Sequence, residues 1–94
     1  MRIVLVEDHL SLAQGIENAL RDQGHAVDWL ADGAAAAAFL AVEGADLAII
    51  DVNLPGMSGF DIVRHIRGAG RAIPVIMLTA RGELSDRIEG LDAG

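Results

Sequence analysis

The sequence predicts an α/β fold: one parallel sheet with helices on both of its faces. Three observations carry that reading. Short apolar runs rich in β-branched residues, at positions 3–6, 47–50 and 75–78, have the length and composition of strands buried on both faces. Stretches with apolar residues at helical spacing separate them, and Gly, Pro and Asp punctuate the boundaries. Counting a more polar strand near residue 27, the pattern reads βαβαβαβα without an internal linker, which implies right-handed crossovers.

The elements follow in order. After the strand at 3–6, Leu12, Ile16, Ala19 and Leu20 recur at helical spacing opposite Gln14, Glu17, Asn18, Arg21 and Asp22. Gly24 suits a left-handed stop for that helix. Residues 25–30 form a strand whose acid, Asp28, suits an edge position. Asp32 is a good N-cap for a helix through the alanines 34–38 to about Val42, since alanine is the best helix former. Gly44 closes it. The strand 47–51 ends in Asp51 and is followed by a Pro- and Gly-rich turn, 54–59. Ser58 with Asp61 resembles a capping box for a helix carrying Phe60, Val63 and Ile66. Residues 68–70 end that helix, and Pro74, lacking an N–H, opens the strand 75–78. Leu84, Ile88 and Leu91 mark a last amphipathic helix.

Composition narrows the function. Ninety-four residues suffice for one domain. There is no cysteine, which excludes disulfides, thiolate metal sites and a cysteine nucleophile. No apolar stretch approaches the ~20 residues needed to span a bilayer, and acids at Glu7 and Asp8 come too early for a signal peptide. A cytoplasmic protein without a membrane partner is expected. Fourteen acids against seven bases give a net charge of −7, which disfavours direct nucleic-acid binding because phosphate contacts dominate that affinity. All seven bases are arginine.

Functional groups gather at one place. The first strand runs into Glu7 and Asp8, the third ends in Asp51, and the fourth ends in Thr79. In open parallel sheets, ligands bind at the carboxyl edge of the strands, so these groups should line a common anionic pocket there. Each residue alone has an ordinary explanation. Asp8 could cap a helix, Asp51 could be a solvated strand-end acid, Thr79 a loop residue, and Asn53 and Gly56 turn formers. His9, His25 and His65 read as surface residues, and Trp29 as edge-strand packing.

The pair Glu7-Asp8, the run Asp51-Val52-Asn53-Leu54-Pro55-Gly56-Met57-Ser58-Gly59 and the segment Leu78-Thr79-Ala80-Arg81 together resemble response-regulator receiver domains. The likeness covers the whole chain. Residues 79–94 look most similar to the winged-helix (OmpR/PhoB-like) transcription-regulator subgroup. The resemblance implies a flavodoxin-like sheet and a phosphoacceptor role for Asp51, receiving its phosphoryl group from a sensor histidine kinase. It implies Mg²⁺ held by Asp8, Asp51 and the backbone carbonyl of Asn53, with Glu7 close by. It implies that Thr79 is a switch hydroxyl. The family continues into a fifth strand, preceded by a lysine, and a fifth helix. The expectation is therefore a receiver domain over residues 1–94 lacking its fifth βα unit and any output domain. Its fourth strand would then be an open edge favouring an oligomer or swapped dimer.

Elementary electrostatics agrees with this picture. Three close carboxylates repel one another and favour a hard divalent ion with oxygen ligands, and Mg²⁺ suits a site with few protein ligands. A carboxylate nucleophile is already ionised and needs no general base. Two other functions fit parts of the pattern. One is a receiver-shaped interaction fragment without phosphorylation switching, since no lysine is present. The other is an aspartate-nucleophile phosphohydrolase, which resemblance makes the poorer fit: those enzymes carry the nucleophile on the first strand and a second Asp two residues later, where this chain has Asn53.

Overall fold

The computed structural model describes residues 1–78 of the chain. Seven elements occupy them: β1 (Arg2–Val6), α1 (Leu10–Asp22), β2 (Ala26–Leu30), α2 (Gly33–Val42), β3 (Leu47–Asp51), α3 (Gly59–Gly68) and β4 (Val75–Leu78). Each element expected in that span is present, within a few residues. The expected helix around 84–91 lies outside the described residues.

All strand pairs are parallel, in the order β2-β1-β3-β4. Asp28 therefore does sit on an edge strand. Connections from β1 lead to β2 on one side and onward to β3 on the other, so the order reverses between β1 and β3. That switch point opens a crevice at the carboxyl ends of the two strands, the general binding position of this architecture.

Strand alternation decides what each face buries. Val4, Val6, Ala48, Ile50, Val75 and Met77 point to one side and pack with Ala36, Ala37 and Leu40 of α2 and Ile62, Val63 and Ile66 of α3. Ile3, Leu5, Val27 and Ile49 point to the other, where Ala13 of α1 joins them. Both faces of β1 and β3 are covered, which is why these strands read as unbroken apolar runs. The alanines of α2 give a thin helix whose Ala36 and Ala37 are buried, leaving Ala34, Ala35 and Ala38 outward.

Local signals set the boundaries. The Asp32 carboxylate accepts from the Ala35 N–H at 2.8 Å, and Ser58 Oγ accepts from the Asp61 N–H at 3.2 Å, so both expected caps form. The Ser58 hydroxyl, with help from Arg64, holds the Asp61 carboxyl below its usual range. The final carbonyls of α2 find partners outside the helix. Arg71, from the connection before β4, donates to Ala41 O at 3.1 Å and Val42 O at 2.6 Å.

One expectation about α1 needs correction. Leu12 and Ala19 are exposed, and Ala13 is the buried residue, with Ile16 and Leu20 half-buried beside it. The packed face is rotated toward 13, 16 and 20, which have the same helical spacing. The ordinary alternative for Asp8, capping this helix, does not apply: His9 is the N-cap, its Nδ1 accepting from the Leu12 N–H at 3.3 Å. Asp8 is thereby left available for other contacts.

Candidate functional site

Strand parity builds the site. Glu7 follows Ile3 and Leu5 at even steps, and Asp51 follows Ile49, so both acids project on the α1 side of the sheet. The β1–β3 register pairs Val6 with Ile50, which brings Glu7 level with Asp51 at the switch point. Carboxylate oxygens of Glu7, Asp8 and Asp51 lie within 4.8 Å of one another. Glu7 and Asp51 are buried, 2% and 8% exposed, whereas Asp8 faces solvent. A cleft of about 470 Å³ opens over them, lined by Glu7, Asp8, His9, Leu12, Asp51, Asn53 and Leu78.

The backbone holds this arrangement in several places. The His9 N–H donates to Glu7 Oε2 at 3.0 Å, and the Asn53 N–H donates to Asp51 Oδ1 at 3.2 Å. The Glu7 N–H donates to Leu30 O at 3.1 Å, and the Val52 N–H to Leu78 O at 2.9 Å. Gly59 starts α3 directly against the strand end, its N–H bonded to Val52 O at 3.0 Å. A Cβ there would collide with the Asp51 carbonyl, so only glycine lets α3 begin this close to the acid. Gly56 takes φ +85°, a left-handed turn conformation that glycine adopts without strain.

The electrostatics is unbalanced. Burial pushes the Glu7 carboxyl above its ordinary value of 4.5; the His9 N–H opposes this, and the neighbouring Asp51 and Asp8 carboxylates add to it. Arg2, Arg21 and Arg64 pair instead with Asp28, Glu17 and Asp61, all away from the cleft. Among the described residues, no ion pair reaches Glu7, Asp8 or Asp51. A compact all-oxygen donor set with uncompensated negative charge fits a small hard divalent cation such as Mg²⁺.

The structure therefore brings together four of the residues singled out in the sequence: Glu7, Asp8, Asp51 and Asn53. Thr79 lies outside the described residues, directly after Leu78, which lines the cleft. Sequence reading missed Leu12 as a cleft residue and His9 as the group whose backbone grips Glu7. It also missed the close approach of Gly59 to Asp51, for which the dense glycine spacing of the 54–59 turn was the available signal.

Comparison with known proteins agrees with the geometry. The family model described as "Response regulator receiver domain" matches residues 3–94. The chain belongs to the response-regulator receiver family.

Among curated relatives, this receiver chain is 47% identical over 94 residues to the response regulator protein PmrA of Pseudomonas aeruginosa, covering all of this chain and 42% of that protein. It is 45% identical over 94 residues to the transcriptional regulatory protein TctD of Salmonella typhimurium, again covering all of this chain and 42% of the relative. The receiver thus spans less than half the length of these relatives. Among solved structures it resembles the receiver domain of a sensor histidine kinase from Pseudomonas aeruginosa, with a TM-score of 0.82, 37% identity, and coverage of 99% of this chain and 78% of that one. That protein has a magnesium ion coordinated in its active-site cleft. The four-stranded parallel sheet described above is thus the flavodoxin-like receiver fold.

Proposed function

We propose that this receiver domain accepts a phosphoryl group on Asp51 from the phosphohistidine of a sensor histidine kinase. The observation that carries the reading is the buried Asp51 carboxylate at the β1/β3 switch point, gathered with Glu7 and Asp8 beneath an open cleft. One Asp51 oxygen is tied to the Asn53 N–H, which leaves the other to attack. In the transfer, that oxygen forms a bond to phosphorus while the bond from phosphorus to the imidazole nitrogen breaks. The electron pair stays on the departing histidine. No proton need leave the nucleophile, because a carboxylate is ionised at neutral pH.

Glu7, Asp8, Asp51 and the carbonyl of Asn53 are the groups we assign to Mg²⁺. When bound, the ion neutralises charge between the anionic nucleophile and the anionic phosphoryl group. Glu7 is positioned for its share by the His9 N–H, and Asn53 lines the same cleft. Thr79, one residue beyond Leu78, is the group we assign to hydrogen-bond the acquired phosphoryl oxygen. We assign the chain to signalling, with no dedicated turnover of a substrate. A cytoplasmic location suits an encounter with a kinase phosphohistidine, and no helix among the described residues is long and apolar enough to cross a membrane.

In the longer protein to which relatives such as TctD point, phosphorylation of Asp51 would alter protein–protein contacts and through them transcription. As a separate polypeptide of ninety-four residues, the chain would also pair through the outer edge of β4, which has no strand partner among the described residues.

Intact-mass measurement after incubation with a small phosphodonor and Mg²⁺ tests the central claim. A single phosphate adduct, absent without Mg²⁺ and absent in Asp51→Ala, is expected. A folded protein that gains no adduct would overturn the reading in favour of a receiver-shaped interaction module. Sustained hydrolysis of a generic phosphate ester would favour a phosphohydrolase.

A further inference from the structure

The sequence gives Trp29 the plain role of edge-strand packing, and part of that is so: its ring packs against the cluster of Ile3, Leu5, Ala13, Val27 and Ile49. The structure adds a polar contact. Trp29 Nε1 donates to the backbone carbonyl of Glu7 at 2.9 Å. The register explains how. Trp29 pairs with Leu5 and Leu30 with Val6, so the end of β2 runs alongside the point where β1 releases its acids.

That carbonyl controls two acids at once. The Glu7 C=O and the Asp8 N–H belong to one rigid peptide plane, so fixing the oxygen sets the direction in which Asp8 leaves the strand. The same residue is held at its N–H by Leu30 O and at its carboxylate by the His9 N–H. Three separate contacts thus grip Glu7, while the exposed Asp8 carboxylate accepts no hydrogen bond among the described residues. Its position depends on the backbone beneath it.

We propose that Trp29 is a positioning residue for the metal site, acting through the Glu7–Asp8 peptide. This rests on the reading of Glu7, Asp8 and Asp51 as a divalent-cation site. The indole contributes in two ways. Its ring wedges β2 against the core, and its N–H satisfies a carbonyl that would otherwise be free to turn toward the mutually repelling carboxylates. The groups that bind a cation are fixed by partners one shell out, and loss of such a partner weakens binding without removing any ligand. Trp29 is the only tryptophan in the ninety-four residues, so it also reports on the site it supports.

The test is an Mg²⁺ titration by calorimetry on the native protein, on Trp29→Phe, and on protein carrying benzothienylalanine at position 29. The last keeps the bicyclic shape and deletes only the N–H donor. Both substitutions are expected to weaken Mg²⁺ binding by about two- to tenfold, the range expected for loss of one hydrogen bond. The difference in emission between native protein and Trp29→Phe should change with Mg²⁺ at the calorimetric midpoint.

A merely structural tryptophan would lower the melting temperature in Trp29→Phe and leave the affinity of the folded protein unmoved. Unchanged affinity in the benzothienyl protein, with native protein binding normally, would overturn the role of Trp29 and leave the cation site standing. Absence of Mg²⁺ binding by native protein would overturn the site itself, a separate result. Should Trp29→Phe fail to fold, the isosteric variant still decides.

Discussion

Removing the charge of Asp51 should stabilise the metal-free protein. Oxygens of Glu7, Asp8 and Asp51 come within 4.8 Å of one another, and a pair of unit charges at that separation repels by about 3.5 kcal/mol at an effective dielectric constant of about 20. Asp51 has two such neighbours, so the repulsion for full ionisation is on the order of 7 kcal/mol at that outermost separation. The actual figure is smaller for two reasons visible in the structure: Asp8 faces water, and Glu7 holds its proton to higher pH than an ordinary glutamate. A net gain of about 1–2 kcal/mol at pH 8 in chelator is expected, which for a domain of this size raises the melting temperature by roughly 4–8 °C per kcal/mol. Asp51→Asn is the right substitution because asparagine keeps an acceptor for the Asn53 N–H and offers Glu7 a donor. Saturating Mg²⁺ should reverse the order. Native protein gains about 2.7 kcal/mol at a hundred times the dissociation constant, and the variant gains less. Paired thermal melts in chelator and in Mg²⁺ make the comparison. Refutation would be a variant no more stable than native protein in chelator, or equal Mg²⁺ stabilisation of both, since either result means the three acids do not share a field.

Other perturbations have equally definite outcomes. Gly59→Ala places a methyl group against the Asp51 carbonyl and the Met77 side chain, and should destabilise by about 2 kcal/mol or more in urea titration while lowering Mg²⁺ affinity. Asp32→Ala removes the cap on α2 and should cost about 1 kcal/mol with no change in Mg²⁺ binding. Because the folded-state Glu7 value is raised, its contribution is fully present below the ordinary value of 4.5 and is lost as pH rises through the higher folded value. Metal-free protein should therefore lose stability as pH rises above the ordinary glutamate value of 4.5, and Glu7→Gln or saturating Mg²⁺ should flatten that fall. Asp61 has the opposite sign: held low by Ser58 and Arg64, it contributes above its usual range and the contribution disappears on acidification. Ser58→Ala should weaken that acid limb in melts taken below pH 5.

The parts of the site that were legible in the sequence are those that follow from period alone. Apolar runs at 3–6 and 47–50 define strands buried on both faces, and the two-residue period then sends Glu7 and Asp51 to the same side of the sheet. The face of α1 was less legible. The set 12, 16, 19 and 20 and the set 13, 16 and 20 both satisfy helical spacing, and the larger Leu12 made the first look more apolar. What decides is position: the first turn of α1 starts above the acids, so Leu12 overhangs the cleft while the smaller Ala13 fits against the sheet. Trp29 marks a harder limit. Its hydrogen bond depends on the register between β1 and β2, a long-range quantity that no local pattern encodes.

The helices and strands around the site are largely consistent with their sequence, and among the described residues the clearest conflict lies at the acids. Caps form where capping residues stand, Gly33 and Gly59 sit where the backbone approaches closely, and α2, α3 and the sheet share the larger apolar cluster. Against that background stand two buried carboxylates and a third beside them with no cationic side chain in reach among the described residues. Folding alone would select against such a cluster, since a buried charge is tolerated only when paired or neutralised. Local disagreement inside an otherwise consistent sequence is the physical mark of a functional site. Here the disagreement is electrostatic rather than conformational. The cation proposed above would bring positive charge to the carboxyl edge between β1 and β3, where the disagreement lies. On that proposal binding and stability are coupled through the same three side chains, so a change that eases the metal-free fold at those positions is expected to weaken the response to the cation.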